Sequence, residues 1–299
     1  MEKLYKKLAN FGTIDIDKSL AEMTTLRIGG KARLVIYPET DISIDPIIDL
    51  LNEYNFPYKV IGKGSDLLCS DDDYEGAVIR LDKHFNNVYF EDNEIVAQGG
   101  ASIISLSIEA MKHGLSGLEF ASGIPGTIGG AIYMNAGAYK SSISEVLSEV
   151  FVYHDGAFSW MKKEECEFGY RSSCFQKHPD WIILGAKLIL KEGNSKEIAK
   201  LMEDRRERRM QTQPLDAPSC GSVFRNPENH NAWELIEGIG YRGKSLGGAK
   251  VSDKHCNFIL NADNASASDY LSLVREIQAK VKEKYGVELE TEMEMFNWK

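Results

Sequence analysis

Two stretches of the chain gather glycine at a density that no helix or strand interior sustains. Gly62–Leu68 reads GKGSDLL and Gly123–Gly130 reads GIPGTIGG, and six of the 26 glycines fall between Gly117 and Gly137. Each glycine costs backbone entropy and offers no side chain to pack, so this backbone is laid close against something. A turn is pinned at Pro125, and small neighbours let amide N–H groups point outward. The natural ligand of such a surface is an anion, most often a nucleotide pyrophosphate. A tight structural turn explains a single cluster equally well. Neither stretch is a Walker loop, because no Gly-Lys-Ser/Thr follows at the right spacing. Neither is a Rossmann fingerprint, since Gly62-Lys63-Gly64-Ser65 has no third glycine in register. Two such loops in separate α+β sections suggest one extended dinucleotide lying between them.

Ser222 sits in Gly221-Ser222-Val223-Phe224-Arg225-Asn226-Pro227. Its small neighbours expose a hydroxyl at a loop apex. Position 224 is Phe, so this is not the strained nucleophile elbow of a hydrolase. Arg171, beside Tyr170, carries a guanidinium fork that can pair with a carboxylate or phosphate; a surface arginine is the plainer reading. The charge run Glu203–Arg209 reads first as a solvated helix face, with an arginine or two on an anionic substrate as the alternative. Glutamates at 288, 290, 292 and 294 alternate on one strand face. Four buried carboxylates would repel, so at most one or two are functional. The six histidines and the carboxylates show no metal-ligand spacing such as HExxH, and no metal site is expected.

These residues need elements to position them. Helices are expected over Lys3–Asn10, from Asp45-Pro46 with Ile47, Ile48, Leu51 and Tyr54 inward, and over Ser102–Lys112 with Ile104, Ile108 and Met111 inward. Further helices are expected over Ser195–Arg209, with Ile198, Leu201 and Met202 inward, and over Ala232–Glu237. A long one opens at the capping box Ser266-x-x-Asp269, buries Tyr270, Val274, Ile277 and Val281, and ends at Gly286. Strands are expected over 32–38, 58–61, 76–81, 87–90, 94–98, 146–154, 181–191, 257–261 and 287–296. The 168–173 stretch lies in a polar connection.

A length of 299 residues suits one large or two to three small domains, enough to bury an enzyme-sized core. The net charge of −10 argues against nucleic acid or an anionic membrane as partner, while leaving room for a phosphorylated small ligand. No stretch approaches the ~20 apolar residues of a membrane span, and the first residues lack a signal-peptide core. Five scattered cysteines without a CxxC pair fit reduced thiols in the cytoplasm.

Taken together, TTLRIGGKA (24–32), VIGKGSDLL (60–68), SGIPGTIGGAIYMNAGAY (122–139), FGYRSSCF (168–175), PSCGSVFRNP (218–227), LGGAKVSDKHCNFILN (246–261) and LETE (289–292) resemble the UDP-N-acetylenolpyruvoylglucosamine reductase (MurB) family, in its shorter class. Chance produces one such motif, not seven in order, and the likeness spans nearly the whole chain. The family belongs to the vanillyl-alcohol-oxidase/PCMH-type FAD-binding superfamily. The resemblance implies an α+β fold with FAD-binding subdomain 1 over 1–83, subdomain 2 over 84–205, and a UDP-sugar-binding domain over 206–286. The strand at 287–299 packs back on subdomain 1.

The implied activity is NADPH-dependent reduction, through FAD, of UDP-N-acetylglucosamine-enolpyruvate to UDP-N-acetylmuramate in peptidoglycan precursor synthesis. By this resemblance FAD is held by Gly62, Lys63, Gly64, Ser65, Asp66 and Leu67. A second set comprises Ser122, Gly123, Ile124, Pro125, Gly126, Thr127, Gly129 and Gly130, with Asn135, Gly137 and Ala138 beyond it. The catalytic positions fall on Arg171, Ser222 and Glu292, with Ser222 as proton donor and the other two polarising the substrate carboxylate. Substrate contacts fall on Tyr170, Gln213, Arg225, Asn226 and His255. The implied partners are NADPH and the sugar nucleotide, with neither nucleic acid nor membrane, in a cytoplasmic monomer or weak homodimer. The chain departs from the family where Leu-Glu-Pro-Glu-Val-Arg is usual. Here Leu289-Glu290-Thr291-Glu292-Met293-Glu294 loses the arginine, and with it one anion contact. No tyrosine-bearing insertion separates Arg171 from Ser222, so another segment must close the site. Alternative readings keep the flavin fold but act on another small alcohol or lactone as oxidase or dehydrogenase, or bind without catalysis. The combination of Arg171, Ser222 and Glu292 argues against both.

Overall fold

The computed structural model describes residues 2–298. They form two compact units, one of 2–16, Arg33–Lys63 and Glu75–Glu207, the other of Asp17–Ala32, Gly64–Tyr74 and 208–298.

The first unit is built on two sheets. A four-stranded sheet runs in the order Gly12–Ser19, Lys31–Pro38, Tyr74–Ile79, Tyr58–Val60, its last pair parallel. Helices α1 (Glu2–Leu8) and α2 (Ile44–Glu53) bury Leu4, Leu8, Ile44, Ile47, Ile48 and Leu51 with Leu34, Ile36, Ala77 and Ile79 of that sheet. Helix α2 begins two residues before Pro46, after a 3-10 turn whose Thr40–Ser43 pair forms a capping box. Proline is tolerated there because first-turn amides have no helical acceptor.

The second sheet is five-stranded and antiparallel, ordered Ala157–Lys162, Leu147–His154, Ile182–Ile189, Glu94–Gln98, Val88–Glu91. Helices α3 (Ile103–Lys112) and α4 (Ile128–Tyr133) join its core, and α5 (Ser195–Thr212) follows. In α3 the buried side chains are Ile103, Leu106, Ser107 and Ala110, and Ile108 is exposed. The helix turns a different face inward from the one expected because apolar residues lie nearly all round it. On α5, Ile198 and Met202 are buried but Leu201 is exposed. The strands Gly12–Ser19 and Ala157–Lys162 were not anticipated; both are sheet edges with mixed polar composition.

The second unit packs a three-stranded antiparallel sheet (Ser245–Leu246, Ala249–Val251, Ile259–Asn261) against helices α6 (Ala232–Gly238) and α7 (Ala267–Tyr285). Helix α7 follows its expected design. Ser266 and Asp269 form a capping box, Tyr270, Val274, Ile277 and Val281 are buried, and Gly286 closes it at φ +69°. Leu26, Ile28 and Leu68 belong to this core, which is why 17–32 and 64–74 leave the 1–83 section and group with the C-terminal residues. The expected strand at 287–296 is shorter. Glu294–Phe296 pairs in parallel with Leu67–Cys69, and Thr291 makes an isolated bridge to Phe224. Among the described residues no helix is long and apolar enough to cross a membrane, and no group of three or more His, Cys, Asp or Glu side chains is placed to hold a metal.

Candidate active site

In the first unit Gly62 approaches Thr127 closely: a Cβ at position 62 would lie 2.5 Å from Thr127 Oγ1. That oxygen accepts the Gly130 amide at 3.2 Å as the N-cap of α4. The two glycine stretches therefore meet here, and only glycine fits. Gly129 donates its amide to Gly99 O at 2.8 Å and Ile128 to Ala101 O at 2.9 Å. These amides point into the protein, and Gly129 serves close packing against Gly99. Gly129 and Gly130 lie inside helix α4, against the expectation that glycine at this density excludes a helix, because Thr127 caps it. Gly126 is different, since an added Cβ would meet nothing within 4 Å. Lys63 reaches Asp82 at 3.5 Å, and Arg80 clasps the same carboxylate through Nε and Nη2.

The same unit holds Arg171. Its backbone is left-handed at φ +54°, a sparsely populated state for a long side chain. Its Nη2 donates to Gly137 O at 2.8 Å, and its guanidinium lies 5.1 Å from the Tyr170 ring centre. Gly169 and Ser172 pair across the turn. Asn135, 6% exposed and also left-handed at φ +44°, donates from Nδ2 to Gly169 O at 2.7 Å and accepts the Ser144 amide at Oδ1. The glycine-rich segment and the arginine turn are thus tied together at both ends.

In the second unit the Ser222 loop lies beside the Glu292 segment. Val223 O accepts the Glu292 amide at 2.8 Å, and the Arg225 amide donates to Glu290 O at 2.9 Å. Asn257, 4% exposed, fixes the loop from the other side. Its Oδ1 accepts the Phe224 amide at 3.0 Å, its Nδ2 donates to Phe224 O at 2.8 Å, and its carbonyl accepts the Val223 amide. Gly221 turns the chain into this loop at φ +81°. Cys220, one residue earlier, is buried 3.1 Å from the Tyr270 hydroxyl. Burial pushes its thiol up to about 12, with the charges of Asp66 and Glu292 adding to the effect.

Gly64, at φ +61°, presses on Met23 O and Thr24 in this unit, and Asp66 O accepts the Glu294 amide at 2.8 Å. The Gly64–Leu67 backbone therefore borders the Glu292 segment. Thr24 Oγ1 is buried with no hydrogen-bond partner. A buried hydroxyl left in that state is costly and fits a site completed by a polar ligand atom. Within the first unit, the open side of Gly126 and the Gly62–Thr127 cradle fit a phosphate-bearing group.

The remaining substrate candidates differ in their surroundings. Arg225 stands 3.9 Å from the exposed Glu290. Asn226 is engaged structurally, its Oδ1 accepting the Ala232 amide at the start of α6. His255 Nδ1 accepts the Asn257 amide, and burial followed by the Arg242 charge lowers its pKa, favouring neutral imidazole. Gln213 has a buried Oε1 with no partner. Sequence reasoning does not single out Thr24, Asn257, Ser173 or Gln176. Each lies within or beside a quoted motif, and that neighbourhood is the only signal.

Residues 32–156 match the family model of an FAD binding domain, and residues 213–296 match that of the UDP-N-acetylenolpyruvoylglucosamine reductase C-terminal domain. The UDP-N-acetylenolpyruvoylglucosamine reductase of Anoxybacillus flavithermus is 43% identical over 298 residues, covering 99% of each chain. That of Bacillus subtilis is 39% identical, covering 99% of this chain and 98% of its own. The crystal structure of UDP-N-acetylenolpyruvylglucosamine reductase from Thermus caldophilus superposes with a TM-score of 0.81 at 36% identity, over 95% of this chain and 98% of that one. Phl p 4, a grass pollen allergen with glucose dehydrogenase activity, reaches a TM-score of 0.50 at 16% identity over 63% of this chain and 44% of its own, a likeness of fold alone.

Proposed function

The chain belongs to the UDP-N-acetylenolpyruvoylglucosamine reductase family, and from that premise we propose which of its residues carry the reaction. The protein is an FAD-dependent oxidoreductase that reduces the enolpyruvyl group of UDP-N-acetylglucosamine-enolpyruvate with NADPH, in peptidoglycan precursor synthesis. The chemistry FAD supplies when bound is hydride transfer from NADPH to the enolpyruvyl double bond. Gly62–Leu67 and Ser122–Thr127 would hold it, with Gly129 bracing the loop from behind through Gly99.

Hydride addition leaves negative charge on the carbon next to the substrate carboxylate. Arg171 binds that carboxylate through its guanidinium fork and stabilises the spreading charge. Glu292 shares in polarising the same group. The Ser222 hydroxyl delivers the proton to the carbon, completing saturation of the double bond. A serine is a weak acid, so its transfer depends on the charged groups around it. Arg225 and Gln213 face the UDP-sugar in this reading, and Tyr170 and His255 line its path.

The observation that most directly supports these roles is the backbone pairing of the Ser222 loop with the Glu292 segment, at 2.8 Å and 2.9 Å. The test is Ser222→Ala under anaerobic stopped-flow. Reduction of FAD by NADPH stays within about twofold, while reoxidation by the enolpyruvyl substrate falls ~10²–10⁴-fold, the usual worth of a positioned proton donor. Equal loss of both half-reactions would make Ser222 structural. The reading also places the enzyme in the cytoplasm as a monomer or weak homodimer, with no nucleic acid or membrane partner. The net charge of −10 supports the absence of a nucleic-acid or anionic-membrane partner, and the five free, buried cysteines support a reducing compartment.

A further inference from the structure

Arg171 stands on a turn that its own sequence does not stabilise. A left-handed arginine backbone is costly and persists only where its surroundings over-determine it. Those surroundings are specific. Asn135 Nδ2 holds Gly169 O at 2.7 Å, two residues before Arg171. Gln176 Nε2 donates to Arg171 O at 3.1 Å and to Tyr133 O at 3.3 Å. Ser173 Oγ donates to the same Tyr133 carbonyl at 2.6 Å. Gly137 O then receives the Arg171 side chain itself. These partners come from the 133–144 segment and from the turn and the residues just after it; Gln176 bridges the two through its Nε2, and Asn135 does so through both ends of its amide.

We propose that Asn135 is a positioning residue for Arg171, with Gln176 as its second support, and that it acts in the step that consumes the enolpyruvyl substrate. The inference rests on the role given to Arg171 above. It removes Asn135 from the cofactor contacts that the family resemblance implies, because its amide is buried and bonded to Gly169 and Ser144. Asparagine suits the place on two counts. It tolerates φ +44° better than most residues, and its amide offers both a donor and an acceptor.

The test compares Asn135→Gly, Arg171→Ala and the double variant in separated half-reactions. Glycine keeps the left-handed backbone and removes only the side-chain bonds. Reoxidation of the reduced flavin by UDP-N-acetylglucosamine-enolpyruvate falls ~10–100-fold in Asn135→Gly, the scale of a misplaced catalytic group. Reduction by NADPH stays within about twofold, and Asn135→Gly adds no further loss on top of Arg171→Ala. Gln176→Met, which keeps the volume and deletes the donor, shows the same pattern more weakly. Losses that multiply in the double variant, or that strike both half-reactions equally, overturn the inference. An Arg171→Ala enzyme with an intact second half-reaction would instead overturn the role of Arg171, and this inference with it.

Discussion

At the scale of single residues, the glycines divide by what surrounds them. Gly62 faces the Thr127 hydroxyl at 2.5 Å from a would-be Cβ, and that hydroxyl already caps α4, so it cannot yield cheaply. Gly62→Ala is expected to destabilise the protein by about 1–3 kcal/mol, as overpacking does. Gly126→Ala meets open space and should change stability by less than about 0.5 kcal/mol. If that open side faces the cofactor, the same variant loses FAD on gel filtration while its denaturant unfolding is unchanged. A Gly126→Ala protein that retains stoichiometric FAD would remove this residue from the cofactor surface. The glycine density was legible in the sequence, but not its division of labour. Spacing cannot tell Gly129, whose amide is bonded inward to Gly99, from Gly126, which is open.

At the scale of elements, local chemistry was readable and distant pairing was not. Helix α7 announces itself: Ser266 and Asp269 at its start, Gly286 at its end, and an apolar stripe between them. Ile277→Ala should cost ~2–5 kcal/mol through the cavity it leaves, whereas Leu201→Ala, on an exposed face of α5, should stay within about 0.5 kcal/mol. Equal costs in urea unfolding would mean that the buried faces are misassigned. Helix α3 shows the opposite case. With Ile103, Ile104, Leu106 and Ile108 in one turn and a half, periodicity cannot choose a face, and packing on the five-stranded sheet decides. The C-terminal strand was overextended for a related reason. Its ladder partner, Leu67–Cys69, lies more than two hundred residues earlier, and pairing stops where that short strand stops.

At the scale of the whole molecule, the chain is continuous in family likeness but not in its spatial grouping. Residues 17–32 and 64–74 carry one quoted motif whole (24–32) and the second half of another (64–68), and both segments join the C-terminal unit, because Leu26, Ile28 and Leu68 complete the core under α7. A sequence scan that cuts the chain at linkers cannot see such an exchange. It does explain why the Gly64–Leu67 backbone and the Glu292 segment are neighbours, joined through Asp66 O and the Glu294 amide. The central claim is that one bound flavin reduces the enolpyruvyl sugar nucleotide. The most direct measurement is anaerobic single turnover: purified protein is reduced with one equivalent of NADPH and mixed with UDP-N-acetylglucosamine-enolpyruvate. The account predicts full return of the oxidised flavin absorbance and one UDP-N-acetylmuramate per flavin. Flavin that stays reduced until oxygen is admitted would contradict it.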